Sequence, residues 1–332
     1  MVKKLLTLMT LLFCALTLTS CSAAAHQQPK KVVRIGILQV PNDVAAARQR
    51  QTLRQACAKL GYLVKYISFD SGVDANKALL SGSVDLATMG DTNAVVALAA
   101  KIPAKLVWIN DIIGSNEALV VKKGQHIQRP QDLAGKKIAT PFASTSHYSL
   151  MMYLEQHHLT GKVQLVDMQT PEIVAAWQRG DIDGAYTWQP SLDHLTGQTA
   201  VVDSAAMADQ GALTANVTLA TNKFRQHHRR VLRQIIAALS ATHSLYQTNP
   251  SQIYHVTAQQ MSITSRAAKK QIGSSKWLTA AQMPKFMTTT FLNQLYGTSQ
   301  FMWRQQTLNK YVSRQQCRQF IDINFIKGGG SD

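Results

Sequence analysis

Three consecutive hydroxyl residues, Ser144, Thr145 and Ser146, are the part of this sequence best suited to chemistry. The apolar run at 137–139 before them predicts a strand, and the segment from Tyr148 to His158 predicts a helix after them. Backbone N–H groups and hydroxyls at a helix N-terminus can hold an anion without a metal. The simpler alternative is an ordinary helix N-cap by Ser144 or Ser146.

Strand-like and helix-like runs alternate along the chain and form two units. The first unit runs from residue 32 to about 110 and the second from about 138 to 188, followed by mainly helical segments after residue 225. This spacing predicts βαβ units with a mostly parallel sheet in each. Two such units predict a ligand cleft between them, at the carboxyl ends of the strands.

Two further loops join the hydroxyl run as candidates for that cleft. Gln39 follows the first predicted strand, and Asp91 and Thr92 follow the third. Thr92 could add hydrogen-bond donors from a second helix start, opposite the first. Asp91 could face the cleft, or it could simply cap its own helix.

The N-terminal sequence predicts that the protein is exported. Lys3 and Lys4 precede an almost wholly apolar run up to Leu18, which is too short for a stable membrane span. Residues 1–20 are therefore interpreted as a signal peptide. Its end resembles a bacterial lipobox, which predicts lipidation of Cys21, a tether over residues 21–31, and a protein anchored to the outer face of the cell membrane. Cleavage by the ordinary signal peptidase is the alternative.

Charge and cysteine content exclude some classes. The formal net charge is +17, and loss of Lys3 and Lys4 leaves 17 − 2 = +15. Nucleic acid would be the usual inference, but export and the scattered cations argue against it. Of the four cysteines, Cys57 and Cys317 remain after processing, and the sequence leaves their pairing open. No CxxC or His-rich pair predicts a metal site, so neither a metal nor a cofactor is expected.

Three blocks then resemble one family. They are the segments at 114–123, 138–150 and 175–190. Together they resemble the substrate-binding proteins of taurine ABC importers, within the larger aliphatic sulfonate group, and the resemblance extends from residue 32 to about 320.

The resemblance implies an α/β protein with the two-domain periplasmic-binding-protein fold of the second type. Domain one would comprise residues 32–112 plus 218–332, and domain two residues 113–217. Two crossovers near 112 and 217 would form the hinge. The implied function is that of a monomeric extracytoplasmic receptor that carries taurine or a related sulfonate to a membrane permease.

The chemistry of taurine then assigns expected roles. Its sulfonate needs N–H and O–H donors and no nearby carboxylate, which favours 144–146 with Thr92, and His147 could donate as well. Its ammonium needs an acceptor or an aromatic face, for which Glu117 and Trp188 are the candidates. A solvent-exposed Glu117 and a core Trp188 are the simpler alternatives. Asn216 stands where the family pattern leads us to expect an aspartate.

Two other functions stay open at this stage. One is a receptor for another small anion or for an alkanesulfonate without an amine, since an amide at 216 binds ammonium less strongly than a carboxylate. The remote one is an enzyme like the thiamine-pyrimidine synthases, which resemble this group but use clustered cysteines that the chain lacks. A surface-interaction protein would show an exposed aromatic stripe, which the sequence does not suggest.

Overall fold

A computed structural model describes residues 31–326 of the chain. The predicted signal peptide, Cys21 and nearly all of the predicted tether lie outside the described residues. Among the helices within 31–326, none has the length and apolar character needed to span a bilayer.

Ten strands make up the two sheets. They are β1 (Lys31–Leu38), β2 (Tyr62–Phe69), β3 (Leu86–Gly90), β4 (Ala104–Ile112), β5 (Glu117–Lys122), β6 (Lys137–Thr140), β7 (Gln164–Asp167), β8 (Gly184–Trp188), β9 (Gln198–Asp203) and β10 (Ala215–Thr221).

Helices surround both sheets. They are α1 (Asp43–Gln49), α2 (Thr52–Ala58), α3 (Gly72–Ser81), α4 (Asp91–Ala99), α5 (Thr145–Gln156), α6 (Thr170–Arg179), α7 (Ser191–His194), α8 (Ser204–Asp209), α9 (Asn222–His227), α10 (Arg229–Thr248), α11 (Pro250–Met261), α12 (Ser265–Ile272), α13 (Met283–Thr288), α14 (Thr290–Arg304) and α15 (Arg314–Phe320). A 3₁₀ turn covers Pro130–Leu133.

Each sheet has five strands. The spatial orders are β2-β1-β3-β10-β4 and β7-β6-β8-β5-β9. In the first sheet β1 and β3 are parallel, whereas β10 runs antiparallel to both β3 and β4. In the second, β6 is parallel to β7 and β8, whereas β5 is antiparallel to β8 and β9. The sheets are thus mixed rather than mostly parallel, because β5 and β10, the strands that follow the two crossovers, run against their neighbours.

The second sheet is buried on both faces. Along β5, Leu119 and Val121 pack with Ile138 in one hydrophobic cluster. Ala118 and Val120 point the other way and pack in a second cluster with Trp177. Side chains of a strand alternate between faces, so a strand covered on both sides is a continuous apolar run.

The first sheet has the larger core. Along α10, Val231, Leu232, Ile235, Ile236 and Leu239 are buried. They recur at helical spacing and form the stripe that packs on this core. Cys57 and Cys317 are both free thiols buried in this core, which answers the question of their pairing.

The sequence from Val44 to Leu60, ending before Gly61, predicts one continuous helix, but the structure has two helices there, α1 and α2. Gln51, between α1 and α2, has a φ of 59°, in the left-handed region. The hydroxyl of Thr52 donates to the carbonyl of Ala47 at 3.2 Å and so satisfies one of the carbonyls left free at the end of α1.

The chain passes between the sheets twice, after β4 and before β10. At the first passage Gly114 lies so close to Ser274 that a Cβ atom there would come within 2.2 Å of the Ser274 carbonyl oxygen. Ile112 also forms an antiparallel bridge with Lys276. These passages fall near the predicted hinge, and the domain boundaries stay a prediction.

Candidate functional site

A pocket lies between the two sheets, at the carboxyl ends of their parallel strands. It encloses about 550 Å³, including its opening to solvent. The first sheet and its helices contribute Leu38, Val40, Ser71, Gly72, Val73, Gly90, Asn93 and Asn216. The second sheet and the crossover contribute Ile113, Asn116, Glu117, Pro141, Phe142, Ser144, Thr145, Trp188 and Gln189.

Three helices begin at this pocket. Gly72 and Val73 open α3, Gly90 caps α4, and Ser144 caps α5. All of these residues line the pocket. The first amides of a helix have no acceptor within it, and the helix dipole places positive potential there. The pocket therefore offers backbone donors and positive potential from three directions, which suits an anion.

The hydroxyls of the run are directed elsewhere. Ser144 Oγ accepts from the amide of His147 at 3.1 Å and donates to the carbonyl of Pro141, as an N-cap does. Thr145 Oγ1 donates to Glu117 Oε2 at 2.6 Å. Ser146 Oγ is fully buried and has no hydrogen-bond partner among the described residues. The expected N-cap alternative is therefore present. Ser146 does not line the pocket, and the backbone amide of Thr145 is the donor that this helix start leaves for a ligand.

Glu117 is buried at the start of β5, with 1% of its surface exposed. Its second oxygen, Oε1, accepts from Ser204 Oγ at 2.8 Å, and Tyr186 Oη lies 3.1 Å from that hydroxyl. Burial raises the pKa of Glu117, while the hydrogen bonds from Thr145 and Ser204 act to lower it. The carboxyl lines the pocket and is hydrogen-bonded, so it is not the solvent-exposed charge of the simpler alternative.

Asp91 lies at the first position of α4, fully buried and outside the pocket lining. Its Oδ1 accepts from the Thr92 amide at 3.0 Å, and its Oδ2 has no partner within the described part of the chain. Burial raises the pKa of Asp91 to about 7. The side chain serves its own helix start rather than the cleft.

The two lobes, each built on one sheet, touch at the starts of α4 and α5. The carbonyl of Ala143 accepts from Thr92 Oγ1 at 3.1 Å and from Asn93 Nδ2 at 3.0 Å. A Cβ atom on Gly90 would come within 2.7 Å of the Thr145 side chain, so only glycine fits this approach. Thr92 is thus a contact between lobes and does not line the pocket.

His147 also lies outside the pocket lining. Its Nδ1 accepts from the Ala143 amide at 3.3 Å, and its ring stacks on Phe142 with 4.4 Å between centroids. Burial lowers the pKa of His147 to about 4, so the ring is neutral near pH 7. It supports the loop before α5.

Of the three remaining predicted residues, two line the pocket and one does not. Trp188 is half-buried at the end of β8 and lines the pocket, as does Asn216 at the start of β10. Gln39 is exposed and lines a neighbouring groove with Arg48 instead. Within residues 31–326, no group of His, Cys, Asp or Glu side chains is arranged to hold a metal ion.

Sequence reasoning missed the start of α3. Ser71 Oγ accepts from the Asp74 amide and donates to its carboxylate. A serine followed three residues later by an acid is a recognised helix-start signal, so the pattern was available. Asn116 and Gln189 were also missed, and their side chains carry no comparable signal. Asn93 lies in the predicted cleft loop at 90–93, but no ligand-binding role was predicted for it.

Comparison with known proteins identifies relatives with a similar sequence. Over 192 residues the chain is 38% identical to the taurine-binding periplasmic protein of Escherichia coli K12, covering 57% of this chain and 59% of that protein. The aligned segment is therefore less than two thirds of that relative's length.

Solved structures share the fold. The periplasmic aliphatic sulphonate binding protein SsuA of Escherichia coli has a TM-score of 0.72 at 20% identity, covering 88% of this chain and 98% of that one. The alkanesulfonate-binding protein SsuA of Xanthomonas axonopodis pv. citri, bound to MOPS, has a TM-score of 0.71 at 19% identity, covering 87% and 98%. The predicted periplasmic-binding-protein fold is confirmed. The family model described as NMT1/THI5 like matches residues 59–253, more than half of the sequence, and the chain therefore belongs to the NMT1/THI5-like family.

Proposed function

We propose that the protein is an extracytoplasmic solute receptor that binds taurine or a related sulfonate and delivers it to an ABC permease. The observation that carries the proposal is the convergence of three helix N-termini on one pocket between the lobes. The relatives named above, which bind taurine or sulfonates by their descriptions, support the same ligand class.

A sulfonate fits these donors. It carries one negative charge and three acceptor oxygens. The helix starts offer amides at 72–73 and at Thr145, and the lining adds the side-chain N–H groups of Asn116 and Trp188. Each hydrogen bond to a charged group is worth roughly 1.5–3 kcal/mol. Four or five such bonds, reduced by the costs of ordering and closure, are consistent with micromolar or tighter binding.

The pocket lining lacks a cation among the described residues. Hydrogen bonds and helix dipoles would therefore hold the anion, and the ligand can be released again without breaking a salt bridge. The net charge of 17 − 2 = +15 that remains after loss of the predicted signal peptide adds long-range attraction for anionic solutes.

A binding role fits this lining better than catalysis. The described pocket residues include no cysteine, histidine or lysine that could act as a nucleophile or base. Cys57 and Cys317 lie in the core of the first lobe, where burial raises their pKa values to about 12 and about 11, so neither is a reactive thiolate.

Attachment is part of the proposal. Cys21 would carry the lipid that tethers a monomeric receptor to the outer face of the membrane, beside its permease. The mass of the mature protein from its host, with and without an inhibitor of lipoprotein processing, tests this point. An unmodified N-terminus at another residue would show cleavage by the ordinary peptidase.

Titration calorimetry of the soluble chain from residue 22 onward tests the ligand class. We expect binding heat with taurine or ethanesulfonate and much less with sulfate or nitrate. If neither sulfonate binds but one of the inorganic anions does, the function is that of the alternative receptor for another small anion. If nothing binds, the proposed function is wrong.

A further inference from the structure

Asn216 and Asp111 form a pair on neighbouring strands at the pocket. Asn216 is the second residue of β10 and stands opposite Asp111 of β4 in the antiparallel register. Asn216 Nδ2 donates to both carboxylate oxygens of Asp111, at 3.1 and 3.3 Å. The amide nitrogen is therefore directed away from the pocket and onto the strand behind it.

Asp111 is suited to accept hydrogen bonds from that nitrogen. It is 3% exposed, and a buried carboxylate needs donors. The titratable groups that act on Asp111 are Asp43 on α1 and His243 on α10, which are hydrogen-bonded to each other at 2.9 Å. Asn110 and Trp108 of β4 also donate to Asp43. The donors to Asp111 are therefore the amide of Asn216 and the hydroxyl of Ser275, and only Asn216 lines the pocket.

The other polar atom of the Asn216 side chain is the amide oxygen, Oδ1. Asn216 is half-buried and lines the pocket, and its Oδ1 accepts no hydrogen bond among the described residues. Glu117, also in the lining, already accepts a hydroxyl on each oxygen. Asn93 Oδ1 and Asn216 Oδ1 both line the pocket and accept no hydrogen bond among the described residues. The Asn93 amide is held by a backbone carbonyl, whereas the Asn216 amide is held by a carboxylate, that of Asp111.

We infer that Asp111 sets the ligand class of this site: by holding the Asn216 amide nitrogen, it turns Oδ1 into the pocket and selects sulfonates that carry a second group with an N–H or O–H donor. This inference rests on the proposed function. A carbonyl oxygen repels sulfonate oxygens, so the group beside Asn216 must be the donor end of an amino- or hydroxyalkanesulfonate. Asp111 acts through Asn216 and is a positioning residue.

Three sulfonates of similar size, which differ only in the group at the end of the chain, test whether that group must be a hydrogen-bond donor. Taurine has an ammonium, 2-hydroxyethanesulfonate has a hydroxyl, and 1-propanesulfonate has a methyl group at the same position. By calorimetry we expect the wild-type chain to bind them with decreasing affinity in that order, with about tenfold between taurine and propanesulfonate.

Two variants test the positioning. In Asn216→Leu the acceptor is lost, and in Asp111→Leu the acceptor remains but its amide is free to turn. We expect the taurine-to-propanesulfonate affinity ratio to fall several-fold in both, while propanesulfonate binding stays within about threefold. Asp322→Asn is the matched control, because Asp322 is a buried carboxylate that is paired with Arg225 and does not line the pocket. We expect its taurine-to-propanesulfonate ratio to stay unchanged. Thermal unfolding checks that each variant is folded.

The outcomes are distinguishable. If no sulfonate binds the wild-type chain, the proposed function fails. If all three bind with equal affinity, or if the ratio survives both substitutions, this inference is overturned while the sulfonate receptor stands. Asn216→Leu keeps the test decisive if Asp111→Leu does not fold.

Discussion

Thr145 Oγ1 donates a 2.6 Å hydrogen bond to Glu117 Oε2, so a buried carboxyl holds the first residue of the helix that opens on the pocket. A sulfonate was expected to avoid carboxylates, yet Glu117 is beside its predicted site. Two readings of this contact follow. Glu117 either balances the ammonium of a zwitterionic ligand, or it keeps its proton, because burial raises its pKa, and serves the loop structurally.

Glu117→Gln separates these readings. If Glu117 meets the ammonium, the substitution weakens taurine by about tenfold, the worth of a hydrogen bond between charged groups, and weakens ethanesulfonate much less. Titration calorimetry with both ligands measures this. Glu172→Gln, at an exposed helix start with its own backbone hydrogen bond, is the control. Equal losses for the two ligands would assign Glu117 to structure only.

Thr92→Val tests the contact between lobes. The substitution removes one of two hydrogen bonds to the Ala143 carbonyl and keeps the side-chain shape. Closure then gains less free energy, so we expect all sulfonates to lose about three- to tenfold in affinity by calorimetry, with selectivity unchanged. Thr242→Val, which removes a hydroxyl bond inside α10, is the matched control. A change confined to one ligand would instead place Thr92 on the ligand.

The position of the site was largely predictable, and its hydrogen bonds were not. All three predicted loops contribute residues to the pocket lining, because strand ends and helix starts are local patterns. The partner of Thr145 lies 28 residues earlier in the chain and is brought close by the order of the second sheet. No local pattern encodes that order.

Gln39 shows that the sequence also does not tell which side chains of a loop face the pocket. Leu38 and Val40 line both the pocket and the neighbouring groove, whereas Gln39 between them lines the groove but not the pocket. Successive side chains at a strand end point to opposite sides. Gln39 was predicted because it is the polar residue of the loop, but its neighbours are the residues that line this pocket. A ligand-binding role for Gln39 stays an untested prediction.

Asp91→Asn predicts a pH-dependent gain in stability. The folded chain holds the Asp91 pKa at about 7, above the ordinary value of 3.8, so its stabilising effect is complete at low pH and is lost as pH rises toward 7. The amide keeps the size of the protonated acid and does not ionise. The free energy of unfolding of the variant, relative to wild type, therefore rises by up to about 1.4 kcal/mol per pH unit through this window.

Urea unfolding at about pH 5 and pH 7.5 measures that difference. Asp74→Asn is the control, because the pKa of Asp74 is lowered by its hydrogen bond with Lys77 and the sign is opposite. Comparison with wild type cancels His147, whose lowered pKa makes stability fall with acid in both chains. A variant whose advantage is constant with pH would mean that Asp91 is ionised at its buried site.

Ligand selectivity is expected to change with pH through Asp111. Burial raises its pKa to about 7. Above that pH the carboxylate accepts from Asn216 Nδ2, and Oδ1 faces the pocket. Below it the protonated acid can donate to Oδ1 instead, and the amide turns its nitrogen to the ligand. The affinity ratio of taurine to propanesulfonate is therefore higher at about pH 8 than at about pH 5.5.

Asn216→Leu isolates this effect from the other groups that titrate nearby, including Asp91 and Glu117. The leucine cannot reverse its hydrogen bonding, so the ratio in this variant is expected to stay constant between the two pH values, while the wild-type ratio changes several-fold. Calorimetry at both pH values gives the four ratios. If the variant keeps the wild-type pH dependence, the switch lies in another group, and Glu117, whose pKa is also raised, is the one to substitute next.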